Sequence, residues 1–202
     1  VLEDGTAAFR PASGSLPQAL TAALALELAR TGGIGATYAA ACLALCIVLP
    51  FFTGQIPQIG SMLCPMHSPV LLAGFLCGPA WAGAVGLIAP LLRHWMFGMP
   101  PFPTAFAMSA ELLAYGVFAG IFYRLLPKKK SSIYLALILA MLLGRAIWGA
   151  AMVVIMRANG GAFTWAAFLA GGFTTALPGI ILHIILIPIL VMALENAKVI
   201  RR

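Results

Sequence analysis

Residues 54–79 read GQIPQIGSMLCPMHSPVLLAGFLCGP, and residues 91–116 read LLRHWMFGMPPFPTAFAMSAELLAYG. Both are apolar runs cut by proline and glycine. Their only ionisable side chains besides two cysteines and one tyrosine are His67, Arg93, His94 and Glu111. Lipid-embedded helices tolerate such interruptions because neighbouring helices satisfy the freed backbone groups. A charge in such surroundings costs several kcal/mol unless it is partnered, so each of these four marks a candidate site.

Working outward, the rest of the chain has the same character. Of 202 residues, 62% are hydrophobic and 8% charged, against about a quarter charged in soluble domains. Mean hydropathy is +1.04. A soluble fold of this composition has no polar surface to give to water. The expected fold is an all-α integral membrane protein, six transmembrane helices in one bundle at about 20 residues each. The expected spans are residues 35–52, 66–77, 80–97, 104–126, 133–156 and 165–194. Residues 1–34 hold three of the five acidic residues, Glu3, Asp4 and Glu27. They are expected to form a cytoplasmic extension or interfacial helix, helical over 16–30 after Ser15 with Pro17 in the first turn. Residues 35–196 form the membrane domain and 197–202 a basic tail. No internal repeat is visible, so an inverted-repeat transporter is not indicated.

The net charge is +7. Lys128, Lys129 and Lys130 share one short loop, and Lys198, Arg201 and Arg202 lie at the end of the sequence. Basic clusters flanking apolar spans stay cytoplasmic, so the charge reports orientation in a membrane rather than nucleic-acid binding. Both termini are then cytoplasmic. The loops near 53–64, 98–103 and 157–164 face outward with one clear charge, Arg157. Cys42, Cys46, Cys64 and Cys77 read as small apolar fillers, because a metal site needs a tighter Cys/His cluster. No metal or cofactor is expected. There is no HExxH, GxSxG or GxxxxGK[ST], so no catalytic residue is assigned and an enzyme is not expected. Any ATP-driven transport needs a motor on another chain.

Several groups are candidates for binding. Glu111 lies about two turns inside span four, roughly 12 Å at 1.5 Å per residue. Arg145 lies at comparable depth in span five. The two either pair structurally or clamp a ligand, with Arg93 or His94 as a second cation. Arg93 can also snorkel to lipid phosphate. Trp148 follows Arg145 by three residues on one face, and Tyr115 follows Glu111 by four. His183 reads as a satisfied interior histidine. Asn159 sits in a Gly-rich turn and serves either that turn or a ligand. Gln55 and Gln58 offer amides in a loop long enough to cap a cavity or simply to connect two spans. Ala36, Ala40 and Ala44 form one stripe of small residues, either for internal packing or for close approach of another helix.

Residues 54–61, Pro65–Met66–His67, Gly74–Phe75–Leu76–Cys77–Gly78, Pro90–Leu91–Leu92–Arg93, Phe97–Gly98–Met99–Pro100–Pro101, Glu111–Leu112 and Tyr115–Gly116 carry a resemblance. So do Gly144–Arg145, Gly161–Ala162–Phe163–Thr164–Trp165 and Pro178–Gly179–Ile180. Over about residues 36–194 the chain resembles an S component of the energy-coupling factor (ECF) transporters. The resemblance implies a six-helix subunit that captures a vitamin or similar micronutrient in its outer half. It implies partners: a transmembrane coupling protein and two ATPases. It implies that the Ala36, Ala40 and Ala44 stripe meets the coupling protein and that the loop with Gln55 and Gln58 is a substrate lid. It places Arg93, His94, Glu111, Arg145, Trp148 and Asn159 among the substrate-binding candidates, beside His67, an ionisable group in an apolar run, and Tyr115, one turn after Glu111.

Two cations against one carboxylate point to a substrate carboxylate or another electron-rich group. Trp95, Phe102, Tyr115 and Trp148 also admit a planar heteroaromatic. The expected function is vitamin capture for an ATP-driven importer. The alternative is a self-sufficient proton-coupled secondary transporter of a small polar metabolite, with Glu111 as carrier.

Overall fold

A computed structural model describes residues 16–52, 60, 62–127 and 129–200, with side chains from residue 32 onward. Every regular element among them is helical. In chain order these are α1 (Leu16–Phe52), α2 (His67–Leu76), α3 (Pro79–Phe97), α4 (Phe102–Leu125), α5 (Lys130–Ala158), α6 (Trp165–Leu169) and α7 (Leu177–Asn196). A π-helical turn, Ala170–Thr174, follows α6.

Proline and glycine set the boundaries. Gly78 (φ 86°) precedes α3, whose first residue is Pro79. Proline suits that position because its missing N–H has no intrahelical partner there anyway. Gly98 (φ 69°) ends α3 in the left-handed conformation, its N–H donating to the carbonyl of His94. Only glycine adopts that conformation without a steric penalty. The Thr164 hydroxyl caps α6, accepting from the N–H of Ala167 at 3.2 Å.

Four helical stretches are long and apolar enough to cross a bilayer: Gly32–Phe52, Phe102–Leu125, Lys130–Ala158 and Leu177–Asn196. The six expected spans need this refinement. Span two is only the ten-residue α2, about 15 Å long at 1.5 Å per residue, half of a roughly 30 Å hydrocarbon layer. Seven of its residues are buried by other helices, so it never meets lipid as an independent span. Span three is long enough, but Arg93 and His94 lower its hydropathy. Span six is broken, because Gly171 and Gly172 open into the π turn before Pro178 restarts a helix. Nor is the N-terminal helix separate from the first span. α1 runs unbroken from Leu16 to Phe52, with no proline between Pro17 and Pro50 to interrupt it.

α4 is the central element and packs against α2, α3 and α5, while α1 and α7 close over α2. Gly74, Gly83, Gly86, Gly116 and Gly120 line the α2, α3 and α4 contacts, where a Cβ meets a neighbouring helix at 2.3–2.9 Å. Small residues let backbones approach in lipid, where packing replaces the hydrophobic effect. The outer faces carry Leu87, Ile88, Leu135, Ile138, Leu142, Ile181, Ile185 and Ile189 exposed, a continuous apolar belt suited to acyl chains and not to water.

The two ends of the bundle differ. At one end the C-terminus of α1 meets that of α3, with Phe51 edge-on to Phe97 at 5.1 Å. Exposed Phe52, Trp95, Phe102 and Trp165 ring this end, as aromatic side chains do at a membrane interface. At the other end Tyr123 of α4 donates to Glu195 of α7 and stacks edge-on with Phe75 of α2. Lys129, Lys130 and Lys198 lie there.

Candidate functional site

A cavity of about 300 Å³ opens among the aromatic-ringed ends of the helices. Pro50, Met99, Pro100, Pro101 and Met108 form apolar walls, and His67, Arg93, Glu111 and Arg145 supply charged or polar groups. Each side chain is fixed by the element that carries it. The start of buried α2 delivers His67, and the C-terminal part of α3 delivers Arg93. Glu111 stands on central α4. Arg145 and Trp148 come from one face of α5. Gly171, at the π turn, also lines the cavity. The absence of a side chain there is a packing requirement, since a Cβ would stand 2.9 Å from the Trp148 ring.

The deepest part of the site is ionic. Arg145 Nη1 lies 2.9 Å from Glu111 Oε1, and His67 Nε2 lies 3.5 Å from Glu111 Oε2. Glu111 is 1% exposed and Arg145 6% exposed. Opposite charges that close offset each other's desolvation, as a lone charge at this depth cannot. Neither contact has the alignment of a full hydrogen bond. Both His67 ring nitrogens, Glu111 Oε1, Arg145 Nε and the Tyr115 hydroxyl make no well-aligned hydrogen bond among the described residues, although the His67 ring and the Tyr115 hydroxyl both face the Glu111 carboxylate. Buried polar atoms are rarely left so. Four of these five atoms belong to residues that line the cavity, where there is room for a further polar group to meet them.

Arg93 is held differently. Its Nη1 donates to the carbonyl of Ile47 at 2.9 Å. Its guanidinium carbon lies 5.3 Å from the Phe51 ring and 5.5 Å from the Phe97 ring. These contacts orient the cation without neutralising it, and no carboxylate among the described residues lies within ion-pair distance.

The structure thus brings His67, Arg93, Glu111, Arg145 and Trp148 to one cavity. Tyr115 lies behind it, buried, with its ring 5.4 Å from that of His67. His94 turns away from the cavity, its Nδ1 2.7 Å from the carbonyl of Pro100 and its ring against Phe102. Asn159 is exposed and donates to the carbonyl of Ile155 in its own helix. It lies outside the cavity lining and serves the turn. Gln55 and Gln58 lie outside the described residues.

Two features escape the sequence reading. Cys64, read there as a filler, lines the cavity with its Sγ 3.9 Å from Arg145 Nη2. Its positive φ of 48°, uncommon for a residue with a Cβ, places it there, and no sequence spacing signals that. His183 is not fully satisfied. Its ring stacks on His67 at 6.1 Å and its Nε2 lacks a partner among the described residues.

On α1 the buried stripe is Ala39, Cys42, Cys46 and Pro50, whereas Ala40 and Ala44 are exposed and Ala36 half-buried. The small-residue stripe therefore faces away from the bundle's own core.

Residues 36–191 match the protein-family profile described as ECF transporter, substrate-specific component. Comparison with curated proteins and with solved structures found no match.

Proposed function

Because the chain belongs to the substrate-specific components of ECF transporters, a family of multi-pass membrane transport proteins, we propose that it captures a water-soluble vitamin or related micronutrient for an ATP-driven importer in a bacterial plasma membrane. The observation that carries this reading is the cavity among the aromatic-ringed helix ends. It is walled by apolar side chains and floored by partly unsatisfied His67, Glu111 and Arg145. Apolar walls with a few placed polar groups are the usual build of a small-molecule site. The cavity faces outward and both termini are cytoplasmic, in keeping with the lysines at the opposite end.

The energy comes from partners: a transmembrane coupling protein and two ATPase subunits. The outward-turned Ala36, Ala40 and Ala44 stripe is the docking surface for the coupling protein. Small residues there let a partner helix approach closely in lipid. Ala40→Trp is expected to abolish uptake in cells that carry the partner subunits, while ligand binding to the purified variant stays within about twofold. Unimpaired uptake in Ala40→Trp removes the stripe as the coupling surface.

The reading as a whole is tested in two steps. Small molecules released on denaturing the purified protein are identified by mass spectrometry. Uptake of the released compound is then measured in vesicles with and without the partner subunits. Uptake that needs partners and ATP is the expected result. Uptake by this chain alone, driven by a proton gradient and lost in Glu111→Gln, establishes the proton-coupled transporter instead.

A further inference from the structure

Resting on that capture reading, we propose that the substrate is a small monocarboxylate whose carboxylate docks on Arg93. The argument is a charge count inside a cavity walled mostly by apolar side chains. Three charged side chains line it: Arg93, Arg145 and Glu111, the last ionised beside the Arg145 guanidinium. Arg145 and Glu111 cancel at 2.9 Å. Arg93, 4% exposed, is held only by a neutral carbonyl and two ring faces. One positive charge is left over. A neutral substrate that displaces water leaves that charge in low dielectric without a counter-ion. A cationic substrate doubles it. A dianion reverses it. A single carboxylate brings the sum to zero, and guanidinium and carboxylate form a geometrically matched, charge-assisted contact.

Arg145 is the weaker candidate for this contact because its charge already has a partner. Its role, with His67, is at the other end of the substrate. There Arg145 Nε and His67 Nδ1, neither hydrogen-bonded among the described residues, receive a neutral hydrogen-bonding group. Between the two ends, Pro50, Met99, Pro100, Pro101 and Met108 favour an apolar body. The volume of about 300 Å³ is at the small end of the ligand-site range, roughly 300–1,000 Å³. It favours a single-ring or short-chain acid over a large fused heterocycle.

The test uses acids paired with neutral twins of nearly the same shape: nicotinate with nicotinamide, pantothenate with pantothenol, biotin with biotinamide. The full chain is placed in phosphatidylcholine nanodiscs, so no lipid carboxylate competes, and each compound is titrated up to millimolar concentration. Thermal shift and tryptophan fluorescence are the readouts, the latter because Trp148 lines the cavity. In at least one pair the acid is expected to bind roughly tenfold or more tighter than its twin, the scale of one charge-assisted contact. Arg93→Gln is expected to bring the acid down to its twin's affinity, and Arg93→Lys to restore part of the preference. Size-exclusion profiles of both variants establish that they are folded.

Twins that bind as tightly as the acids, a preference that survives in Arg93→Gln, or no acid bound at all overturns the carboxylate assignment. Capture falls separately. It fails only if the vesicle assay shows no partner-dependent uptake of the released compound.

Discussion

Arg145→Ala is expected to destabilise the protein by about 3–5 kcal/mol, the usual cost of stripping one partner from a buried ion pair, and to abolish ligand capture. Without the guanidinium 2.9 Å away, the Glu111 carboxylate is left 1% exposed with the neutral-capable His67 ring at 3.5 Å and the Tyr115 hydroxyl as its remaining polar neighbours. Glu111→Ala is expected to cost a similar amount, for the mirror-image reason. The double variant Glu111→Leu with Arg145→Met is the informative one. It removes both charges and keeps most of the volume, so its stability is expected to return to within about 1–2 kcal/mol of the parent, as apolar replacement of a buried pair often does. Its capture stays lost. Unfolding titrations in mixed detergent give the stabilities, and a double-mutant cycle closed by the alanine double variant, Glu111→Ala with Arg145→Ala, isolates the coupling. If the two alanine changes simply add in the alanine double variant, the contact is an incidental neighbour pair and the floor of the cavity is held by packing alone.

The sequence already carries much of this arrangement. Glu111 is the one acidic residue of span four and Arg145 the one charged residue of span five, and counting 1.5 Å per residue from the outer ends of those spans puts them at comparable depths, roughly 12 and 17 Å. That count suffices for the pairing because both helices run nearly the full thickness of the bundle. The four long spans are legible for the same reason: twenty or more apolar residues admit few other structures. What fails is legibility where backbone departs from a straight helix. α2 reads as a short span because composition does not reveal that its neighbours wrap it. The π turn at Ala170–Thr174 is invisible in a run that stays apolar throughout.

The site shows the same division. His67, Arg93, Glu111, Arg145 and Trp148 announce themselves as polar or large groups in an apolar text. Cys64 does not, since a buried thiol looks like any small filler until a left-handed backbone turns it toward Arg145. His94 and Asn159 mislead in the opposite direction. Each is polar and near the correct end, yet each is satisfied locally, by Pro100 and Ile155. Proximity in sequence to a site residue says nothing about which way a side chain turns at a helix end.

Gly86→Ala is expected to be nearly as damaging as loss of the ion pair, although it adds a single methyl group and touches no ligand. A Cβ at Gly86 falls 2.3 Å from the carbonyl oxygen of Leu112 and 2.7 Å from the backbone nitrogen of Leu113. Backbone atoms inside a helix cannot swing aside as a side-chain tip can, so α3 and α4 have to separate. The seam offers no slack elsewhere: a Cβ at Gly116 meets the carbonyl of Ala82 at 2.5 Å, and one at Gly120 meets the nitrogen of Pro79 at 2.7 Å. Overpacking of this kind costs about 1–3 kcal/mol or more. The consequence for the site is direct. α3 carries Arg93 seven residues beyond Gly86, and α4 carries Glu111 next to the Leu112 that the new methyl strikes. Spreading the helices moves the isolated cation away from the ion pair and widens the cavity between them. Affinity is therefore expected to fall roughly tenfold or more, since displacements of about 1 Å at a positioned site are expensive. Gly33→Ala is the control. Nothing lies within 4 Å of its Cβ position, and alanine is the better helix former by about 1 kcal/mol, so melting temperature holds or rises and affinity is unchanged. Equal behaviour of the two variants in a thermal melt shows that α3 and α4 yield at the seam, and the rigid-scaffold account of how Arg93 is held apart from Glu111 then fails.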